Sequence, residues 1–248
     1  MRIETNETLV KRNKAWSGRL FIVTLVVIIA SFFLLNSPFL TEGMSQDNVM
    51  LVSLVLPAVL LPIAFIATVF SIRMTNMWVR QPRPERMLED NLKGLGKSAV
   101  LYNFYHFPAR HVLVTQAGVM AMVTRFQDGK YRATGDKWSS ARGAFNRVLS
   151  IMRMDGIGSP SLDAQVAAQH VDKLLSDINP DVPVYPVVLF IDPRAEFEVT
   201  EPTVAVLHIS TRRSPNLKEW VKALPKSEHA LTPEQITEFE NRTLHGKK

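Results

Sequence analysis

The sequence predicts a mixed α/β domain carried behind a pair of membrane-crossing helices. Three observations lead there. Two long charge-free runs occupy residues 20–41 and 48–72. A series of β-type runs follows, broken at Gly118 and at Asp128-Gly129. Two nearly continuous apolar runs, VYPVVLFI at 184–191 and TVAVLHIS at 203–210, then stand among segments of helical period. Runs of that kind mark strands covered on both faces.

A helix needs roughly 20 apolar residues to cross the hydrocarbon core. The second run has twenty-five charge-free residues and qualifies outright; the first qualifies if it extends through Asn36 toward Phe39 or snorkels at Trp16 and Arg19. The expected spans are about 20–40 and 49–72. Pro57 and Pro62 would kink the second, which lipid tolerates when a neighbouring helix packs alongside. A cleaved signal peptide fits the first run poorly, because no A-x-A-like site follows and a second span comes directly after. The loop between them carries Glu42 and Asp47 but no Lys or Arg. Lys11, Arg12, Lys14 and Arg19 lie before the hairpin, and Arg73, Arg80, Arg83 and Arg86 after it. That asymmetry predicts a multi-pass membrane protein with two spans and both termini cytoplasmic. Residues 1–80 form the basic segment and anchor, and residues 81–248 the cytoplasmic domain. The bilayer is the one partner this part of the chain requires.

In the domain, Gln81-Pro82-Arg83-Pro84 is a stiff linker. Glu85, Leu88, Leu92 and Leu95 have helical spacing, with the three leucines on one stripe and Gly94 and Gly96 as the stop. AVLYNFYHF at 99–107 reads as a strand ended by Pro108. RHVLVTQAGVMAMVTR at 110–125 reads as two strands meeting at Gly118. Asp128-Gly129 is a hairpin signal, with 130–134 as the returning strand. Trp138 is placed to cover an apolar surface. Residues 141–151 suggest a helix. Ser159 or Ser161 caps a helix over 161–177. Pro186 puts one end of the 184–191 strand at an edge or bulge. Ser214-Pro215 opens a helix carrying Leu217, Trp220, Val221 and Leu224. Thr232-Pro233-Glu234-Gln235 has the form of a capping box and opens the last helix. A basic pair, Lys247-Lys248, closes the chain.

The chain has no cysteine, so thiolate metal sites, cysteine nucleophiles and disulfides are excluded. No H-E-x-x-H, P-loop, G-x-S-x-G or G-x-G-x-x-G pattern occurs. The net charge of +6 permits binding to nucleic acid or anionic lipid without requiring either. His106 and His111 straddle Pro108 and could in principle share a metal; without nearby carboxylates, ordinary hydrogen-bonded histidines are expected. His208 reads as a core histidine, and Asp192-Pro193 as an Asx-type turn. Arg73, Arg80, Arg83 and Arg86 could hold lipid headgroups at about 1 kcal/mol each. Arg212 and Arg213, with Lys218 and Lys222, form a second basic cluster able to touch phosphate.

From Glu85 to about Leu244 the chain resembles the nuclease-related domain family, a branch of the restriction-endonuclease-like fold. Four stretches carry the likeness: Glu85-x-x-Leu-x-x-x-Leu-x-x-Leu95, RHVLVTQAGVMAMV, VYPVVLFIDP followed by TVAVLHI, and LTPEQITEF. The resemblance implies a mixed sheet flanked by helices. It also implies a place for nuclease chemistry: an acid on one strand and E-x-K on the next, holding Mg²⁺ that stabilises charge on phosphate. With a period of two, the Glu and Lys share one face. Aligned on Gly118, the acid position falls on Arg110 and E-x-K on Val123-Thr124-Arg125. Arginine cannot bind a cation, valine offers no ligand, and Glu85 alone survives as a carboxylate. The family's helix Gln falls near Asp163 or Gln165, in a register the sequence leaves open.

The leading expectation is therefore a membrane-anchored, catalytically degenerate module that binds or scaffolds, with nucleic acid as a candidate partner and no small-molecule cofactor. Arg110, Arg125, Arg212 and Arg213 are the anion-binding candidates; Arg110 and Arg125 either line an anion cleft or pair with Glu85. The alternatives are an Mg-dependent nuclease with its site relocated to Asp128 or Asp136, and a structural membrane protein that forms homo-oligomers through the hairpin.

Overall fold

The computed structural model describes residues 1–36, 42–140 and 156–245. The described chain forms two units, Met1–Asn6 with Pro82–Lys248, and Glu7–Gln81. Among the described residues it is mixed α/β, with six α-helices and a mixed sheet.

The hairpin unit holds α1 (Glu7–Asn36) and α2 (Gln46–Trp78), both long and apolar enough to cross a membrane. Each runs further than its charge-free core. The basic residues of the first flank lie on helix because Lys and Arg are good helix formers and their stems can lie along apolar surface. α2 continues through Pro57 and Pro62. Large apolar side chains such as Phe21, Ile22, Phe32, Leu54 and Phe65 are exposed, as lipid requires and water would not. Ser17, Thr24 and Ser31 are buried and recur every seventh residue, a spacing that keeps one stripe of α1 toward a partner helix. Ser17 Oγ stands 3.3 Å from Thr75 Oγ1, and Thr24 Oγ1 donates to the Ala67 carbonyl at 3.4 Å.

The domain begins with a strand that the residue pattern hides. β1 (Arg2–Thr5) pairs parallel with β2 (Val100–His106), so the first six residues belong to the domain rather than to the anchor. β3 (Ala109–Thr115) and β4 (Gly118–Arg125) continue antiparallel, and β7 (Val184–Phe190) and β9 (Ala205–His208) extend the sheet parallel to β4. The six-stranded order is β1-β2-β3-β4-β7-β9. A three-stranded sheet holds β6 (Lys137–Ser140), β5 (Gly129–Thr134) and β8 (Ala195–Thr200) in that order.

Asp128-Gly129 does not make a hairpin. β5 alternates exposed and buried residues, so it suits a sheet with one wet face, whereas the place beside β4 goes to the apolar β7. Pro186 is tolerated because the pairing with β9 starts at Val187, leaving β7 one-sided before it.

Helices cover both faces of the large sheet. On one face α3 (Pro84–Asn91), with Leu88 and Leu92, and α5 (Leu217–Ala223) pack on Leu101, Leu113, Met120, Met122 and Leu189. On the other, α4 (Pro160–Leu175) and α6 (Pro233–Glu240) pack on Val112, Ala121, Val123 and Phe190. Trp138 lies 6.1 Å from the Phe190 ring and donates from Nε1 to Ser161 Oγ at 2.8 Å. Asn216, not Ser214, caps α5 by accepting from Glu219 N. The Thr232–Gln235 capping box forms as expected. The helix expected over 141–151 and the Lys247-Lys248 tail lie outside the described residues.

Candidate functional site

Arg110, Val123 and Arg125 are brought to one face of the sheet. Valines 112 and 114 of β3 and 119 and 123 of β4 face the α4 layer, so by the period of two Arg110 and Arg125 face it as well. Continuing the pairing of His111 with Met122, Arg110 stands opposite Val123, and Arg125 is two residues further along β4.

α4 supplies the third member. Its first turn carries Asp163, whose carboxylate accepts from the Arg125 guanidinium. Arg125 also donates to the Thr124 carbonyl at 3.2 Å, while its Nε has no partner among the described residues. The arginine side chain is 14% exposed and the aspartate 57%. Arg110 makes no hydrogen bond or ion pair among the described residues. Burial pulls its pKa down, the neighbouring Arg125 charge adds to that, and Asp163 opposes it. Two guanidiniums thus lie on one face near a single carboxylate among the described residues, which pairs with Arg125 and acts on Arg110 only through its charge.

Glu85 is elsewhere. It lies in the first turn of α3, on the helix layer of the opposite face, and pairs with Arg83 at 2.6 Å in a contact with both side chains largely buried. The expectation that Arg110 and Arg125 pair with Glu85 is not met: Arg125 takes Asp163, and Glu85 takes Arg83. Arg83 is correspondingly removed from the set of arginines offered to lipid headgroups. The second Glu85 oxygen, Oε2, has no partner among the described residues.

These residues do not fit a divalent metal. The strand positions offer two guanidiniums and a valine, and the nearby carboxylate, Asp163, is held by Arg125. Among the described residues no three His, Cys, Asp or Glu side chains converge. Asp136 accepts from Gln165 Nε2 at 3.2 Å and from Thr203 Oγ1, and Asp128 lies 3.5 Å from Arg194, which also binds Asp192. Asp192 makes the expected Asx turn by accepting from Arg194 N at 2.9 Å.

His106 and His111 do not meet. His106 Nε2 bonds Thr243 Oγ1 at 3.0 Å and its ring stacks on Phe239, whereas His111 Nδ1 bonds Asn103 Oδ1 at 2.7 Å. Burial pushes both imidazoles down to about 3, helped for His111 by the charges of Arg110 and Arg83. His208 is buried and stacked 4.6 Å from the Phe197 ring.

Arg212 and Arg213 are exposed in the turn after β9. Because β4, β7 and β9 are parallel, that turn is at the same end of the sheet as Arg125, with β7 between. Lys218 of the same basic cluster instead donates to the Lys93 carbonyl at 2.5 Å. In open α/β sheets, ligands gather at the carboxyl ends of the strands.

Asp163 was named from sequence only as one of two registers for the helix Gln position; its pairing with Arg125, 38 residues away, was not foreseen. Compared with known proteins, the chain matches no family model, no curated protein and no solved structure.

Proposed function

We propose that this chain is a membrane-anchored member of the nuclease-related, restriction-endonuclease-like group that no longer hydrolyses and instead binds nucleic acid through phosphate. The observation that carries the reading is that Arg110 and Arg125 stand on one sheet face with the Asp163 carboxylate paired to Arg125 alone. Guanidinium forks match phosphate oxygens two at a time, and partial burial strengthens each such bond. The positive end of α4 adds to the same field.

The element order supports the fold half of the reading. Helix α3, the antiparallel β2-β3-β4, helix α4 and the parallel β7 and β9 follow the order on which the resemblance rests. The strand pairing supports the topology as well. β1 and α3 belong to one domain, and the chain leaves it into α1 and returns from α2. A two-span hairpin then places both termini on one side, the cytoplasmic side by the basic flanks.

The test is fluorescence anisotropy with labelled single- and double-stranded oligonucleotides and the full-length protein in detergent. Binding at low salt that weakens as salt rises, and disappears in the Arg110→Ala/Arg125→Ala variant, supports the reading. Absence of binding at low salt removes it. Cleavage of the oligonucleotide with Mg²⁺ revives the enzyme.

A further inference from the structure

We infer that the Arg110–Arg125 pair takes a phosphomonoester dianion, such as the terminal phosphate of a polynucleotide, in preference to the phosphodiesters along a strand. The inference rests on the anion-binding reading above and specifies its ligand.

Three observations separate an end from a strand. The first is depth. Arg125 is 14% exposed, and Arg110 is half-buried on the same sheet face. A backbone passing over a surface meets exposed cations; a recessed pair is reached by a group that projects, as a terminal phosphate does.

The second is the charge count. Two guanidiniums face one carboxylate, and that carboxylate is 57% exposed and free to turn outward into water. With Asp163 displaced, the site holds two positive charges. A phosphomonoester carries about −1.5 to −2 near neutral pH and matches them; a phosphodiester carries one negative charge and leaves a buried guanidinium unbalanced. Asp163 thus acts as the internal anion that the ligand replaces.

The third is the surroundings. A strand-binding surface needs a track of free cations, and on the flanking small sheet two of the three strand cations, Lys130 and Arg132, are held in ion pairs, leaving Lys137 alone. Lys130 pairs with Glu196 at 3.0 Å and Arg132 with Glu198 at 2.9 Å across β5 and β8. Arg194 is taken by Asp192 at 2.8 Å and lies near Asp128.

The experiment compares one oligonucleotide with a 5′-phosphate and with a 5′-hydroxyl, using full-length protein in detergent, and adds inorganic phosphate as competitor. About tenfold tighter binding of the 5′-phosphorylated form, equivalent to one extra charge-assisted pair, together with displacement by phosphate, supports the inference. Displacement by phosphate without any 5′ preference assigns the site to a free phosphomonoester rather than to a polynucleotide end, and so overturns the polynucleotide source while keeping the ligand chemistry. Equal binding of both forms without displacement by phosphate overturns the inference and leaves the nucleic-acid reading standing; no binding of either form, or of phosphate, overturns both. Asp163→Asn supplies a second arm: tighter binding of the phosphorylated form is expected, and weaker binding in a variant of unchanged thermal stability overturns the role given to Asp163.

Discussion

Gly118 sits against Pro183 so closely that a Cβ on it would stand 2.5 Å from the Pro183 carbonyl oxygen. The same carbonyl accepts from Val119 N at 2.9 Å and ties the start of β4 to the residue before β7. Gly118 also has φ +129°, a conformation that side chains resist. Gly118→Ala is therefore expected to cost on the order of 3 kcal/mol, combining backbone strain with overpacking. Denaturant unfolding of the full-length protein measures it; a loss within error of zero would show that the β4–β7 junction yields.

Arg110 is expected to be a residue whose presence costs stability. A half-buried guanidinium with no hydrogen-bond partner among the described residues is unfavourable, and a neighbouring arginine makes it more so. Arg110→Leu should leave the fold at least as stable, or raise it by about 1 kcal/mol, while abolishing oligonucleotide and phosphate binding. Retained binding in this variant would exclude Arg110 from the site, and a marked loss of stability would assign it a structural partner.

Buried neutral histidines make stability depend on pH. His106 and His111 are held near 3 in the fold, against about 6.5 in an unfolded chain. Between those values the unfolded chain binds more protons, so their contribution is full above pH 6.5 and is lost as pH falls toward 3. Each adds a slope approaching about 1.4 kcal/mol per pH unit within that window. For His111 the hydrogen bonds agree: Asn103 Nδ2 donates to Thr5 Oγ1, so Oδ1 accepts from His111 Nδ1–H, and the buried Nε2 has no acceptor among the described residues for a second proton. Unfolding midpoints at pH 7, 6, 5 and 4 should fall steadily, and less steeply in His111→Gln. A midpoint that stays level over this range would contradict the burial of both rings as neutral groups.

Elements whose own residues decide their state were legible in the sequence. The Leu88, Leu92 and Leu95 stripe, the apolar β7 run, Gly118 and the Thr232 capping box carry local physical reasons that survive folding. Elements that exist because a neighbour offers a place were not. β1 is RIET, two of its four residues charged, and only the free edge of β2 makes it a strand. β8 is AEFEVT, whose two glutamates are held by Lys130 and Arg132 from across the sheet. The site divided the same way. Arg110, Val123 and Arg125 share a face because strand period puts them there, while the partners of Arg125 and Glu85 depended on how α4 and α3 settle on opposite faces. Arg83 looked like one more juxtamembrane cation because nothing in its spacing reveals that α3 will bury it against Glu85.

Strand β1 has a practical consequence for any attempt to isolate the domain. It closes the sheet edge with the bonds Arg2 N to the Ala99 carbonyl at 2.9 Å and Asn6 N to the Asn103 carbonyl at 3.1 Å. It also carries Arg2, which pairs with Glu240, the carboxylate that accepts from Tyr102 OH at 2.6 Å. Removing residues 1–6 opens the β2 edge, strips Asn103 of its Thr5 partner and leaves Glu240 without its cation. A protein starting at residue 81 is expected to be less stable than the full chain by on the order of 3 kcal/mol and to associate through the opened edge. Joining residues 1–6 to residue 82 by a flexible linker, without the hairpin, should restore stability and a monomeric domain. Equal unfolding midpoints for the two hairpin-free forms would show that β1 contributes nothing to the fold.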